Sequence, residues 1–417
     1  MLKTFLAGAT LAAGAVCVTA CSQPNDPPPA SEALEGKTYP LTPAVIAMRW
    51  QLLNPDVNSF IFRELDTIFE TRPVPHSGEV WDLPKGKAMA MPADRFGGGS
   101  YDYGQFAERT YTNAMLVIRD GKIVFEDYRN RMEDGSPHIA FSMSKTITSL
   151  LVGIALDQGK IGSLDDPATK YVPQLKGTGY DGVTIRQILQ MRSGVAYEER
   201  YDFGANPSFA GKLHEQAIVL NKMRFADGAL ETKRANEPGS TFNYSTLDTM
   251  VLGWILEEAT GQKLEDYTRA NLWGPLGAEA DGFWLADGPP GAGRALNGMG
   301  FNARLRDFGR LGELMLNDGM RGETRVIPEG WMKQATTMLP TGAPADQGFP
   351  GYGYQIWQID DEPGAYAAVG LAGQFIYVSP ATKTVIVKLS YYPPVPPPTV
   401  DGEVISYFKA IAHTPVE

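Results

Sequence analysis

Ser142 and Lys145, a serine and a lysine three residues apart, are the residues of this chain best suited to covalent chemistry. Residues at this spacing share one face of a helix, so the two side chains can meet. A serine hydroxyl is a weak nucleophile until a base takes its proton, and a lysine whose pKa is lowered can be that base. The spacing alone is weak evidence, because Ser406 and Lys409 repeat it near the C-terminus. The alternative interpretation of the first pair is a helix cap followed by a solvated lysine.

The residues after the first pair predict a helix whose first turn contains Ser142. Apolar side chains recur at helical spacing between Ile147 and Ile154, and Gly159 ends the run. The unpaired N–H groups and the positive dipole end of a first turn can hold a developing oxyanion. Nucleophile and electrophilic support therefore coincide at Ser142, which favours this pair over the C-terminal one.

Competing chemistries lack the residues that they need. No Gly-x-Ser-x-Gly elbow is present, and we interpret His138, close to the serine in sequence, as a surface histidine. The only cysteines, Cys17 and Cys21, precede the folded body, which excludes a disulfide, a thiol nucleophile or a cysteine-ligated metal there. His214 is not followed by a second histidine at the spacing of a zinc-binding helix. We therefore predict neither a metal nor a cofactor.

The N-terminus has the pattern of an export signal. Residues 1–20 combine a positive start with an apolar run too short for a comfortable membrane span, and the run ends in a lipobox-like segment before Cys21. Residues 21–40 predict a lipid-anchored, proline-rich tether. The expected location is the periplasmic side of a bacterial envelope, with Ser22 favouring the outer membrane by resemblance to known sorting rules. The alternative is an ordinary signal with an incidental cysteine.

Residues 41–417 are long enough for one large hydrolase domain, and their pattern predicts an α/β fold. Two strands at 114–126 flank an Asp-Gly turn, which is a strong hairpin signal. A mostly helical lobe follows at about 160–300, and strand patterns return at 353–357, 375–378 and 384–389. We therefore expect an antiparallel sheet built from both ends of the chain and flanked by helices. The prolines at 393–398 predict a surface loop.

Four motifs in one order resemble the serine β-lactamase and penicillin-binding-protein superfamily, in its branch of class C-like esterases and 6-aminohexanoate-oligomer hydrolases. The resemblance covers roughly residues 105–395. The motifs are FSMSK at 141–145, GSLDDP at 162–167, QMRSGV at 190–195 and FNYST at 242–246.

The resemblance implies a role for several further residues. Tyr244 matches the tyrosine that opens the second catalytic motif and relays a proton, and Thr246 replaces an asparagine that contacts amide substrates in many relatives. Gly370 and Leu371 lie in a segment that replaces the Lys-Thr-Gly motif, and the Leu371 N–H is expected to join that of Ser142 as the oxyanion hole. Tyr201 falls on a loop expected over the site. We take Tyr201, Thr246 and Gly370 as candidate substrate contacts.

These observations predict a serine hydrolase that cleaves an ester or amide bond of a small molecule through an acyl-enzyme. The missing basic residue of the third motif argues against a penicillin-degrading or D-peptidase role, which stays as an alternative. A second alternative is a catalytically silent envelope lipoprotein that binds cell-wall ligands. The formal net charge of −11 argues against nucleic acid as a partner.

Overall fold

The computed structural model of the protein describes residues 37–203, 206–344 and 348–416. The export signal, Cys21 and most of the proposed tether lie outside these residues. None of the helices in the described ranges has the length and apolar character needed to cross a membrane.

The strands pair almost entirely as antiparallel neighbours. Their bounds are β1 Thr71–Val74, β2 Thr112–Arg119, β3 Lys122–Tyr128, β4 His138–Ile139, β5 Gly282–Leu285, β6 Phe301–Ala303, β7 Met320–Arg321, β8 Thr324–Arg325, β9 Leu339–Pro340, β10 Gly351–Tyr352, β11 Trp357–Gln358, β12 Tyr366–Gly370, β13 Gln374–Ser379 and β14 Thr384–Ser390. Within the described residues, eight strands form the main sheet in the order β3-β2-β14-β13-β12-β11-β10-β9, and a smaller sheet has the order β1-β5-β6-β4.

Helices cover the sheet and build the lobe beside it. The α-helices are α1 Pro43–Trp50, α2 Asn58–Ile61, α3 Tyr103–Arg109, α4 Met143–Asp157, α5 Ile185–Leu189, α6 Phe209–Leu213, α7 Thr246–Thr260, α8 Leu264–Thr268, α9 Gly274–Leu276, α10 Leu305–Leu316, α11 Trp331–Ala335 and α12 Val400–His413. Two π-helical segments, His214–Val219 and Arg269–Trp273, continue α6 and α8.

The main sheet is buried on both faces, and the alternation of side chains along each strand explains how. On β13, Ile376 and Val378 enter the larger core, whereas Phe375 and Tyr377 enter the smaller one. Helix α10 lies on the first face, where a Cβ on Gly312 would come within 2.4 Å of the Val385 side chain. Helix α12 covers the second face. Both faces of the sheet are therefore packed against helices. The helical lobe beside the sheet carries most of the polar residues described below.

The local sequence signals were largely confirmed by the structure. The hairpin of β2 and β3 turns at Asp120 and Gly121, both with positive φ, as the Asp-Gly turn predicts. The prediction of a strand at 353–357 was wrong for most of these residues, since only Trp357 belongs to a strand. Gln355 has a positive φ of 60°, and its side chain is hydrogen-bonded to Thr249 and to α5. These contacts hold the backbone out of the sheet.

Candidate active site

Ser142 is the N-cap residue of α4, and the backbone before it is constrained. Phe141 has φ 43°, which lies in the left-handed region. This conformation is unfavourable in free energy for any residue other than glycine. Its buried ring packs edge-on against Phe62 with the ring centroids 5.0 Å apart. The packing holds this turn in place, and the Ser142 hydroxyl is left half-buried at the start of the helix.

The Lys145 amine lies beside the serine in a buried position. Lys145 is 1% exposed, and its Nζ donates to Ser142 Oγ at 2.9 Å, to Thr246 Oγ1 at 3.0 Å and to the Gly298 carbonyl at 2.7 Å. Burial lowers the pKa of Lys145 from 10.5 to about 8, against an opposing contribution from Glu199. The predicted pair is therefore assembled, and its amine loses a proton far more easily than an exposed lysine does.

The hydrogen-bond partners fix where the lone pair of a neutral Lys145 amine points. The Gly298 carbonyl can only accept, so it takes one amine hydrogen. Thr246 donates its own hydroxyl hydrogen to the Glu199 carboxylate at 2.9 Å, so its oxygen accepts the second. The remaining lone pair faces Ser142 Oγ, which is the orientation that a general base for this serine needs.

Glu199 is a member of this network that the sequence analysis did not identify. Its carboxylate accepts from the Thr246 backbone N–H at 2.6 Å, from the Thr246 hydroxyl and from the Tyr201 hydroxyl at 2.8 Å. The only local signal was its place two residues before Tyr201 on the predicted loop. Thr246, a candidate substrate contact, is buried, and its hydroxyl links Lys145 to Glu199.

The ring of Tyr244 lies next to the Lys145 amine. The Lys145 Nζ is 5.0 Å from the centroid of the Tyr244 ring, and Trp357 stacks at a tilt with its centroid at 5.3 Å. Burial raises the pKa of the Tyr244 phenol, and the nearby Ser142 hydroxyl lowers it by less. The phenol is therefore protonated at neutral pH and near the serine, as a proton donor must be.

Gly370 and Leu371 lie at the end of β12, close to the serine. A Cβ on Gly370 would come within 2.2 Å of the Ala140 carbonyl oxygen, so only glycine allows β12 to approach the segment before Ser142 this closely. No backbone oxygen of the described residues accepts from the N–H of Ser142 or of Leu371. Both predicted oxyanion donors are thus available for another acceptor.

A cleft of about 650 Å³ is lined by residues next to Ser142 and to the Lys145 contact at Gly298. Its lining includes Leu371 and two residues adjacent to the catalytic groups. Phe141 precedes Ser142, and Met299 follows the Gly298 carbonyl that is bonded to Lys145. Tyr201 also lines the cleft and is 36% exposed. Residues 393–396, three prolines and a valine, form another part of the lining, so the proline-rich run predicted as a surface loop shapes the cleft.

Two other groups from the sequence analysis lie outside the chemistry. Ser406 is exposed on α12 and Lys409 pairs with Asp361, so the duplicate spacing forms no buried pair. The interpretation of His138 as a surface residue was wrong. His138 is fully buried on β4, bonded to Asn113 and to the Ile139 carbonyl, and burial lowers its pKa to about 4.

Serine hydrolases of the β-lactamase-like class combine an antiparallel sheet flanked by helices with a serine at the start of a buried helix, and this chain has both features. The comparison with family models agrees, because the Beta-lactamase model matches residues 104–405. The chain therefore belongs to the beta-lactamase family. The resemblance and the fold class predicted from the sequence are confirmed.

The relatives place the chain near one branch of this family. The 6-aminohexanoate-dimer hydrolase of Paenarthrobacter ureafaciens is 32% identical over 303 residues, which span 70% of this chain and 76% of that protein. A solved Bacillus anthracis structure assigned to the same hydrolases has a TM-score of 0.78 at 22% identity, covering 87% of this chain and 95% of that one. The hydrolase EstCE1 has a TM-score of 0.60 at 17% identity, with coverages of 74% and 96%. At these identities the two structures establish the fold alone.

Proposed function

We propose that the protein hydrolyses an ester or amide bond of a small molecule through an acyl-enzyme on Ser142. The observation that carries this proposal is the buried Lys145 amine 2.9 Å from Ser142 Oγ, with its other two hydrogen bonds directed away from the serine. A lysine pKa of about 8 gives a neutral fraction of roughly a tenth at pH 7, against less than about a thousandth for an unperturbed lysine.

In the proposed acylation step, Lys145 Nζ takes the proton of Ser142 Oγ as this oxygen bonds to the carbonyl carbon of the substrate. The negative charge that develops on the carbonyl oxygen is held by the N–H groups of Ser142 and Leu371. The bond to the leaving group then breaks. Tyr244 donates its proton to the leaving oxygen or nitrogen and is reprotonated from the Lys145 ammonium, so that the enzyme keeps its protons in balance.

In the proposed deacylation step, water attacks the acyl carbon and the same groups act in reverse. The neutral amine, with Tyr244 as relay, removes a proton from the water, and the ester bond to Ser142 Oγ breaks as that oxygen regains a proton. The products are a free acid and the alcohol or amine released earlier. No group outside the described site is required for these steps.

Ester and linear amide substrates fit this site better than β-lactams or D-peptides. The Thr246 hydroxyl is already shared by Lys145 and Glu199, and no cationic side chain occupies the segment at Gly370 and Leu371 that replaces the third motif. A carboxylate at the usual position in a penicillin or peptide substrate thus lacks its partner. The relative from Paenarthrobacter ureafaciens, named as a 6-aminohexanoate-dimer hydrolase, supports the amide side of this proposal.

The test combines covalent labelling with turnover. We expect a fluorophosphonate to add its mass to the peptide containing Ser142, and short-chain p-nitrophenyl esters to be hydrolysed by the wild-type protein. Ser142→Ala should remove both signals, whereas Ser406→Ala, at the duplicate spacing, should remove neither. Turnover that persists in Ser142→Ala, or labelling at another residue, would show that the nucleophile is elsewhere.

We also propose that the protein acts on the periplasmic side of a bacterial envelope, anchored through lipid on Cys21. The support is the signal-like pattern of residues 1–20 and the proline-rich stretch after it. Metabolic labelling with an alkyne fatty acid should mark the wild-type protein and leave Cys21→Ser unlabelled, with Cys17→Ser as the matched control. Equal labelling of the wild-type protein and Cys21→Ser would contradict this proposal.

A further inference from the structure

Three buried side chains that line the cleft near Ser142, Arg49, Tyr392 and His214, each have a polar atom without a hydrogen-bond partner among the described residues. Of these atoms only His214 Nε2 can be an acceptor that carries no hydrogen. His214 lies at the start of a π-helical segment and lines this cleft together with Tyr201. His214 is 5% exposed, and its ring packs edge-on between Tyr201 and Phe225, with each centroid 5.0 Å away. Its Nε2 is buried and has no hydrogen-bond partner among the residues that the structure describes.

The second nitrogen of the ring determines the chemical character of Nε2. His214 Nδ1 lies 2.7 Å from the Ala210 carbonyl oxygen, which can only accept, so Nδ1 carries a proton. Burial lowers the pKa of His214, with a smaller opposing effect of Glu199, and the ring is therefore neutral at neutral pH. In a neutral imidazole with a protonated Nδ1, Nε2 is a bare acceptor. A buried acceptor without a donor costs free energy, which a ligand can recover.

The surroundings favour an uncharged donor over a cation. Burial disfavours a positive charge on the His214 ring even though the Glu199 carboxylate attracts it, and the same desolvation acts on an ammonium placed next to Nε2. The buried Arg49 guanidinium also lies on the cleft wall, and its positive charge disfavours a cationic ligand further. Much of the remaining lining is apolar, including Leu53, Phe203 and Ile218.

We propose that His214 determines substrate specificity by accepting, at Nε2, a hydrogen bond from an uncharged hydroxyl or amide N–H on the acyl portion of the substrate. This inference rests on the proposed function, because the cleft is lined by Phe141, which precedes Ser142, and by Leu371, the proposed oxyanion donor. The substrate class is then an ester or amide of an aliphatic acid that carries a hydroxyl or secondary amide along its chain. The apolar wall takes the methylene groups and His214 takes the donor.

The experiment compares p-nitrophenyl esters of hexanoic and octanoic acid whose far end is a methyl, hydroxyl, acetamido or ammonium group. In the wild-type protein we expect kcat/KM of the hydroxyl or acetamido ester to exceed that of the methyl ester by about ten-fold for at least one chain length. The ammonium ester should fall below both donor esters. Comparison of the hydroxyl ester with the acetamido ester shows whether His214 accepts from a hydroxyl or from an amide N–H.

Two variants remove Nε2 in different ways. His214→Phe keeps an aromatic ring against Tyr201 and Phe225, and His214→Asn keeps a donor for the Ala210 carbonyl. In each variant that folds, judged by its circular dichroism, the preference for donor esters over the methyl ester should fall to about one. His413→Phe, at an exposed histidine on α12, is the matched control and should keep the wild-type preference.

The possible results separate this inference from the proposed function. Equal kcat/KM for methyl and donor esters in the wild-type protein would overturn the inference without any variant. A preference that survives in His214→Phe or His214→Asn would also overturn it, as would the fastest turnover of the ammonium ester. In all these cases the esters are still hydrolysed in a Ser142-dependent manner, so the proposed function stands. Absence of any Ser142-dependent turnover would instead remove the proposed function.

Discussion

Replacing Glu199 by glutamine tests the electrostatic coupling that governs the general base. The carboxylate raises the pKa of Lys145, opposing the larger lowering by burial. Glutamine removes the negative charge and keeps one acceptor for the hydrogen-bond network around Thr246. Since Lys145 acts in its neutral form, kcat/KM rises with pH through the lysine pKa. Loss of the anion should lower that pKa, so the rise should occur at a lower pH in Glu199→Gln.

The magnitude follows from the bridge through Thr246. Its hydroxyl oxygen lies 3.0 Å from Lys145 Nζ and 2.9 Å from Glu199 Oε1. The two charges are therefore roughly 5 Å apart, which gives about 3 kcal/mol at an effective dielectric constant of about 20 and about 0.8 kcal/mol at that of water. At about 1.4 kcal/mol for each pH unit, these limits correspond to pKa changes of about 2.1 and about 0.6. We expect the midpoint to move from about 8 to between about 5.9 and about 7.4.

The assay is the pH dependence of kcat/KM for one p-nitrophenyl ester. The reaction is followed at a wavelength where the absorbance of the released p-nitrophenol does not depend on pH. The maximal rate of Glu199→Gln is expected to fall because the Thr246 backbone N–H loses a carboxylate acceptor, so the midpoint and not the rate is the readout. Glu198→Gln is the matched control. Its side chain is 71% exposed and lies near Arg200, and its removal should leave the midpoint unchanged.

Two results would refute the reasoning. A midpoint that stays within about 0.3 pH units of the wild-type value, well below the lower limit given by water, would mean that Glu199 is not coupled to the base. A midpoint that moves to higher pH would mean that the titrating group must be protonated for catalysis, which is incompatible with Lys145 as the general base.

Two further predictions concern the support of the site. Gly370→Ala should lower stability by about 1 to 3 kcal/mol and reduce esterase activity, because its Cβ would meet the Ala140 carbonyl at 2.2 Å. Thermal unfolding checks this, with Gly135→Ala, where a Cβ meets nothing within 4 Å, as the control, and equal melting temperatures would contradict it. Asp248, buried and bonded to the Tyr180 hydroxyl at 2.7 Å, has a pKa raised by burial to about 7. The native state disfavours its charged form, so the wild-type protein should lose up to roughly 4 kcal/mol relative to Asp248→Asn as pH rises from about 4 to 7. Urea unfolding across this range tests the sign, and parallel stability curves would contradict it.

Much of the fold could be predicted because its signals are local. The Asp-Gly turn requires positive φ at two adjacent positions, and Asp120 and Gly121 have it, so the hairpin of β2 and β3 follows from the sequence. The failed strand at 353–357 shows the limit of such reasoning. The side chain of Gln355 is held by Thr249, more than a hundred positions away along the chain, and no local pattern contains that contact.

The site was predictable in part for the same reason. Ser142 and Lys145 are neighbours on one helix, and the order of the motifs pointed to Tyr244, Gly370 and Leu371. Glu199 and His214 had no such signal. Glu199 joins the network by accepting from Thr246, which lies on another element, and His214 matters because its Nδ1 is already bonded to Ala210.

The sequence by itself determined that this chain carries a Ser-Lys pair at the start of a helix, within a beta-lactamase family fold. Helical spacing and turn chemistry act over a few residues, so they can be read directly from the chain. Only the tertiary structure decided the electrostatics. The depth of burial that lowers the Lys145 pKa, the Glu199 carboxylate that opposes it and the bare acceptor of His214 all depend on residues distant in sequence. Desolvation and charge interactions are set by neighbours in space, and packing alone brings those neighbours together.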